Sequence, residues 1–505
     1  MRLKKAIPAG ISADRGLQFE LRIPNDPRAL AAAQMFSREI LRHTSLRENT
    51  VDGLSRLIIT ATKDAIEHAY PPGEIGSVII SSIQDEHQII ITIRDHGLPQ
   101  DLQQFEAALH VKNPAGQKMP GMDSIHVADA LHWISYGPEG KALQITKWLH
   151  ETSITDHPDR GNLVPFEEQT PLAPVQEYEI RRMRSGEAVQ ISQLIYKAYG
   201  DSYFNCDVYY PDRVASLNES GDLLSFVAAD KSGMLVGHYA LERNQDGPVA
   251  EGGMAVVDPA HRGRHLLERL KDAAIATAKD LNLTGMFADA VTVHTFTQKA
   301  NIEHGARLAC INPGISPKEE IFKGINQDTQ TQRVTCALYF LWLKSPTPQL
   351  IFPPLRHRDA LIKLYANLQC ALTFGEPRAP EGHGEQVIHF NKNAGTAFLR
   401  VNKIGVDSIA VIRHARRELV EKSHAEAVFV ELPLSDTATP AVADALATEG
   451  FFFCGVAPQF GMKGDLLRLV YLVSELTPEA IHLQEDIAKW LLDYALADRL
   501  RVTTE

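Results

Sequence analysis

The stretch VVDPAHRGRHLLERL at residues 256–270 decides how the chain is read. A β-rich run closes at Asp258-Pro259. A short basic turn follows, Arg262-Gly263-Arg264, and an apolar-periodic helix begins after it. Strand, tight turn and helix start bring unpaired backbone N–H groups and the positive helix end to one point. Such a point holds a phosphate or pyrophosphate, and Arg262 and Arg264 add charge beside it. Strand–turn–helix units with two arginines also occur in α/β proteins that bind nothing there. On these residues alone both readings stay open.

At 505 residues the chain exceeds one ordinary core, and two to four domains are expected. A net charge of −12, with no basic block, argues against a nucleic-acid partner. Five cysteines (Cys206, Cys310, Cys336, Cys370, Cys454) are scattered with no CxxC pair. That fits a reducing compartment and argues against a disulfide framework or a zinc site. No apolar run reaches membrane-spanning length, and MRLKKAIPAG lacks an apolar signal core. The expectation is a cytoplasmic protein with no membrane partner.

Three blocks separate on pattern, giving boundaries at 1–150, 178–345 and 346–505. The Pro-rich, charged stretch 151–177 reads as a linker. In the first block, Asn25-Asp26-Pro27 opens a helix, and a second helix is expected over 51–70. Strands at 76–83 and 88–94 precede Asp95-His96-Gly97, a glycine-rich loop at 116–121, an amphipathic helix through Trp133 and a strand at 142–148. The second block reads as two helices, then strands at 224–230, 235–243 and 250–257. The basic turn, a helix (266–281), a strand (285–293), a helix (298–303), a short strand and a long strand (334–343) follow. The third block predicts a helix (414–422), a strand (427–432), a helix (439–449), strands at 451–456 and 466–473, and a closing helix (478–500). Strand, helix, glycine and strand recur around Gly305 and Gly450, an internal duplication of about 150 residues. The class is mixed α/β, α+β in arrangement, with three domains.

The second block resembles the GNAT acyltransferases, whose motif A reads Arg/Gln-x-x-Gly-x-Gly/Ala. Arg262 matches, whereas His265 and Leu267 stand where the family prefers small residues that let a phosphate approach. The resemblance implies acetyl-CoA or another acyl-CoA as cofactor. It implies an amine acceptor, on a protein or a small molecule, that attacks the thioester directly. Val257, Arg262, Gly263, Arg264, His265, Leu266 and Leu267 would clamp the cofactor. Glu251 lies where many members keep a proton-accepting carboxylate; its other reading is an exposed strand-end residue. Gly305-Ala306 stands for the family's Gly-Phe, which puts Asn301 at the position of a proton-donating Tyr, a role that an amide cannot fill. His294 and Asn301 are substitutes within reach, or simply polar residues of a helix start. Tyr199, Tyr203, Tyr209 and Tyr210 fall where the family walls its acceptor site, and could bind a flat or cationic acceptor or only pack. The third block resembles a degenerate second copy without the basic turn.

The first block resembles the GHKL ATPases, in the branch of anti-sigma serine kinases. The element order and the string Asp64-Ala65-Ile66-Glu67-His68-Ala69-Tyr70 carry the likeness. It implies ATP or ADP with Mg²⁺, with Asp64 toward the metal, Asp95 toward adenine, and Gly97 and Gly121 lining the site. Thr60 replaces the family's catalytic base, which argues against phosphoryl transfer. Asp123 would repel phosphates. Together the resemblances imply an acyltransferase tuned by its first block, with a homodimer and a regulatory protein partner as further implications. The alternative is a non-catalytic, anti-sigma-like partner-switching regulator.

Overall fold

The structure is a computed structural model. It describes residues 17–504 apart from 45, 47, 71–72, 85–87, 97–126, 136–139, 150–151, 168–169, 204, 244–246, 319–330, 392–393 and 422. Gly97, Gly121 and Asp123, with the glycine-rich loop at 116–121, lie outside the described residues.

One 17-stranded sheet runs through the described chain. Its first edge is β1 (Leu17–Pro24), followed by β2 (Ser77–Gln84), β3 (Gln88–Asp95), β5 (Lys141–Trp148) and β4 (Ala130–Ser135). The chain's last strands come next: β15 (Glu385–Asn391), β16 (Thr396–Lys403), β17 (Ala427–Pro433), β19 (Gly464–Leu472) and β18 (Phe452–Gly461). The middle strands finish it: β11 (Arg307–Ser316), β12 (Val334–Trp342), β10 (Gly285–Val291), β9 (Val249–Val257), β8 (Leu235–Arg243), β7 (Leu223–Ala229) and β6 (Glu179–Arg182). A separate parallel pair joins β13 (Gln349–Ile351) to β14 (Leu372–Phe374).

The three blocks are thus joined edge to edge, with the last block between the other two. Strand β4 pairs with β15, and β11 meets β18 at Cys310 and Gly455. Each junction covers a strand edge that would otherwise template aggregation. Where the sequence predicts a helix through Trp133, the chain forms β4. Ladder bonds from β5 and β15 on its two sides outweigh the helical pattern.

Helices α1 (Leu30–Arg42) and α2 (Glu48–His68) cover the first block, and Leu54, Leu57, Ile58 and Ala61 of α2 meet Ile80, Ile91 and Ile145 in its core. In the middle block, α3 (Ala188–Tyr199) and α4 (Pro211–Ser220) lie on one sheet face. Helix α5 (Leu266–Asp280) lies on the other, burying Leu266, Leu270, Ala274 and Ala278 at four-residue spacing. Helices on both faces explain why Leu235–Leu241 of β8 reads as an unbroken buried run. Helix α6 (Phe296–Glu303) follows β10, and α7 (Arg358–Asn367) opens the last block. Sequence periodicity missed β6, α7, β15 and β16 and placed the helix now seen as α8 (Ser408–Glu421) too late. Helix α9 (Thr439–Ala447) follows β17, and the closing α10 (Asp486–Thr504) starts eight residues later than expected. Strands β11 and β12 of the middle block pack into one core cluster with the last block, while α3, α4 and α5 pack in separate clusters of the middle block.

The order β9-α5-β10-α6-β11-β12 recurs as β16-α8-β17-α9-β18-β19, with the same parallel and antiparallel pairings. The register breaks between Leu308 and Cys310 in β11, and between Phe453 and Gly455 in β18. Counted from Gly305 and Gly450, these are equivalent positions. The antiparallel Cys310–Gly455 pair therefore joins positions that are equivalent by this count.

A buried ion network crosses this junction. Glu431 of β17 accepts from Arg468 Nη2 (2.6 Å) and Arg400 Nε (2.7 Å). Arg468 Nη1 donates to Asn312 Oδ1 (2.9 Å), whose Nδ2 donates to Asp289 Oδ1 (2.7 Å). Burial alone would raise the Glu431 pKa; Arg400 and Arg468 outweigh it and hold the carboxyl down to about 2.

Gly455 has φ +137°, and a Cβ there would lie 2.5 Å from the Ala309 carbonyl oxygen and 2.7 Å from Cys310 Cα. Gly455→Ala should lower unfolding free energy by about 2 kcal/mol or more in urea titration. Gly382→Ala, also at positive φ but with nothing within 4 Å, should cost only about 1 kcal/mol.

Candidate active site

Strands β9 and β10 run parallel but pair only over Val249–Glu251 and Gly285–Phe287. Beyond that the two strands part, leaving a V whose open end faces the turn after β9. A bulge in β9 accompanies the parting: its register against β8 slips between Gly253 and Val256, and Met254 takes φ +52°. The His238 ring Nδ1 lies 2.8 Å from the Met254 carbonyl oxygen and holds the bulge.

Glu251 stands at the vertex, opposite Glu242 in the β8–β9 ladder. Both line a cleft of about 400 Å³ with Asp207, Asp222, Phe287 and, from the last block, Arg400, Gln459 and Phe460. Burial raises the Glu251 pKa well above the usual carboxylate range, and Glu242 and Asp289 add to the shift. Burial and then Asp207 push Glu242 up to about 7. Arg400, the cleft's cation from the last block, is already paired with Glu431 (2.7 Å). Asp207, Asp222, Glu242 and the last-block residues were missed in sequence. They are scattered over more than 250 positions, and only the two junctions bring them together.

At the open end, Val257 ends β9, and Asp258 Oδ1 accepts from Ala260 N (2.9 Å) to shape the turn. Gly263 (φ +72°) and His265 (φ +55°) are both left-handed. His265 precedes α5 with no side-chain cap bond, so the first-turn amides that begin at Leu266 and Leu267 have no cap from that residue. The His265 ring is 82 % exposed and reaches Glu268 (3.4 Å), so it points away from the turn. Leu266 and Leu267 pack into the core under α5. Arg262 is exposed. Arg264 is engaged: its guanidinium donates to the carbonyl oxygens of Ala173 and Pro174 and sits over the Tyr178 ring.

Those last contacts revise the stretch 151–177. It is irregular, as expected of a linker, yet it is strapped along the middle block. Ile154 N donates to Tyr209 O (2.6 Å), Phe166 N to Lys197 O (2.9 Å) and Ala173 N to Ala260 O (2.8 Å).

Asn301 is buried in α6 and accepts from Lys271 Nζ of α5 (2.7 Å). His294 lies beyond the end of β10. The strand alone separates Phe287 from Val291 by about 13 Å, so the structure does not bring His294 to Glu251. Burial lowers the His294 pKa, and its ring packs on Phe296. The tyrosines do not line the acidic cleft. Tyr203 and Tyr209 are buried in the core, where the Tyr209 hydroxyl accepts from Tyr203 N (2.8 Å). Tyr199 packs on Tyr203 (4.8 Å) and reaches the Ala255 carbonyl oxygen (3.4 Å). Tyr210 lies under Arg213 (4.0 Å), which bridges Asp129 of the first block (2.9 Å) and Asp207 of the cleft (2.8 Å).

In the first block, Asp95 is buried 4.0 Å from Lys141 Nζ, and Asp64 also acts on that lysine. Burial lowers the Lys141 pKa while both carboxylates raise it. A buried lysine thus engages the two carboxylates that the GHKL resemblance assigns to adenine and Mg²⁺. Among the described residues, no group of three His, Cys, Asp or Glu is placed to hold a metal ion. No described helix is long and apolar enough to cross a membrane.

Replacing His265 should read out the strain at the turn. His265→Val, β-branched at φ +55°, should cost about 2 kcal/mol in thermal unfolding, and His265→Gly should be near neutral.

Residues 189–300 match the model of the Acetyltransferase (GNAT) family. No curated protein matches the chain. Solved structures similar to it include an N-acetyltransferase from Staphylococcus aureus, 16% identical over 34% of this chain and 100% of that one, with a TM-score of 0.28. The ribosomal-protein-S5-alanine acetyltransferase from Vibrio fischeri is 14% identical, covering 34% and 97%, with a TM-score of 0.27. A spermidine/spermine N-acetyltransferase from Vibrio cholerae, in complex with manganese ions, is 20% identical, covering 33% and 93%, with a TM-score of 0.26. The GNAT match falls wholly within the middle block and takes in both the V and the turn before α5.

Proposed function

We propose that the protein transfers an acyl group from acyl-CoA to a cationic amine in the cleft at the vertex of β9 and β10. The observation that carries the reading is Glu251, held at that vertex with its pKa raised and its side chain lining the acidic cleft. A carboxylate whose pKa is raised out of the usual carboxylate range is a stronger, better matched general base for an ammonium acceptor. Asp222 and Glu242 supply counter-charge toward such an acceptor, beside Arg243 and beside Asp207, which is bridged to Arg213. The cofactor's pyrophosphate would take the uncapped start of α5 and the exposed Arg262, with its pantetheine arm in the open V. When bound, the cofactor supplies the thioester that the amine attacks; backbone amides on the V-facing edge of β9 are suited to polarise its carbonyl.

In the same proposal the last block is a second GNAT-like copy that has kept the fold and lost the basic turn. Its role is to wall the acceptor cleft with Arg400, Gln459 and Phe460. The first block acts on the cleft through the Asp129–Arg213–Asp207 bridge. Lys141 between Asp64 and Asp95 supports a block that works without Mg-nucleotide turnover. The rival reading, a non-catalytic regulator, is favoured by Asn301, which cannot act as an acid.

Glu251→Gln should lower kcat with acetyl-CoA by about 10²–10⁴-fold and leave calorimetric affinity for acetyl-CoA unchanged. Retention of activity within a few-fold would sink the assignment. The base must be deprotonated, so kcat/KM should rise with pH through a limb above the usual carboxylate range, where burial holds Glu251. Glu242→Gln removes a neighbouring negative charge, lowers the Glu251 pKa and should move that limb to lower pH.

A further inference from the structure

Lys271 is buried on the opposite face of the sheet from Glu251, in a small cavity between α5 and α6. Met286 and Ala288 of β10, Tyr239 of β8, Leu341 of β12 and Asn301 close the cavity around it. Met286 and Ala288 flank the point at which β10 leaves β9. The ammonium therefore sits beneath the vertex where the proposed thioester must lie. Asn301 takes one of its three N–H bonds (2.7 Å) and fixes the head group, and the Tyr239 ring lies 5.8 Å from Nζ. A structural role alone would not require a buried charge, because apolar residues fill such a space at lower cost.

We propose that Lys271 is the acid that protonates the departing thiolate, with Asn301 positioning it. The inference rests on the acyltransferase reading. The acceptor nitrogen attacks the thioester carbonyl carbon, a C–N bond forms, and the C–S bond breaks with its electron pair going to sulfur. Lys271 Nζ gives one proton to that sulfur and regains one from solvent. The acceptor's two departing protons leave one at a time through Glu251, so one proton is released overall. Asn301 thus keeps a part in the step that an amide cannot perform itself.

The surroundings suit the role. Burial lowers the Lys271 pKa to about 8, while Glu268 and Glu303 oppose that shift. Asp272 and His304 pair with each other at 3.5 Å, and Tyr239 and Tyr339 complete the polar groups facing the cavity.

Two truncated acetyl thioesters separate catalysis from structure: one with an alkyl thiol leaving group and one with an aryl thiol that leaves without protonation. Lys271→Met should lower kcat/KM for the alkyl thioester by about 10²-fold or more and for the aryl thioester by less than about 5-fold. It should also abolish the alkaline limb, where the wild-type rate falls as pH rises through about 8. Lys271→Arg, which keeps charge and a donor to Asn301 but holds its proton, should be as slow as Lys271→Met on the alkyl substrate. Equal losses on both thioesters, or full activity in Lys271→Arg, would overturn the proposal. A second readout needs no turnover: the thiolate absorbance of bound CoA should titrate at a lower pH in wild type than in Lys271→Met, which lacks the cation. Identical midpoints with CoA bound would overturn the proposal. Failure of wild type to bind CoA would overturn the acyltransferase reading, and this proposal with it.

Discussion

The parting of two parallel strands is the constraint on which the site depends. Strands β9 and β10 share three residues each and then diverge, so the sheet cannot satisfy both strand edges by pairing them with each other. The bulge at Met254 re-aims β9, and the His238 ring holds it. Glu251 precedes the bulge and faces the acceptor cleft, while Ala250 and Gly252 face α5. Gly252 is required here, because a Cβ would lie 2.2 Å from the Tyr239 hydroxyl. The same geometry sets a carboxylate on one face of the vertex and Lys271 on the other.

The last block gives the cleft its far wall. Its β16–β17 pair repeats the topology of β9–β10, but the ladder runs over five residues, Thr396–Arg400 with Ala427–Glu431, and does not part after three. One copy is zipped where the other is open. The ion network from Arg400 and Arg468 through Glu431 and Asn312 to Asp289 ties the zipped copy to the open one. It also fixes Arg400 at the mouth of the cleft, with its charge already balanced by Glu431. Apart from Arg243, the other charged lining residues are the carboxyls of Asp207, bridged to Arg213, and of Asp222, Glu242 and Glu251, which is why a cationic acceptor fits the proposal better than an acidic one.

Much of the middle block was legible in sequence because its elements carry strong local signals. The four-residue apolar spacing of α5, the alternation in β9 and the Arg262-Gly263 turn all read through. Glu251 was singled out by its place in the strand before that turn, and its role as base belongs to the proposal. The rest was set by contacts between distant residues. Strand β4 looked helical until two partners claimed its edges. Arg264 looked like a clamp until the strap at Ala173 and Pro174 engaged it. The acidic cleft and the Lys271–Asn301 bond join residues that no local pattern connects. The stretch 151–177 read as a linker because its contacts are backbone hydrogen bonds and a few isolated apolar anchors, Ile154, Leu163 and Phe166, which set up no periodic pattern.

Calorimetric titration with acetyl-CoA tests the central claim, that the V and the turn after β9 form a working cofactor site. The account predicts one saturable site per chain, with affinity at least about tenfold weaker in Arg262→Ala, since a charge-assisted phosphate contact is worth about 1.5–3 kcal/mol. No heat of binding at millimolar acetyl-CoA, or equal affinity in Arg262→Ala, would contradict it.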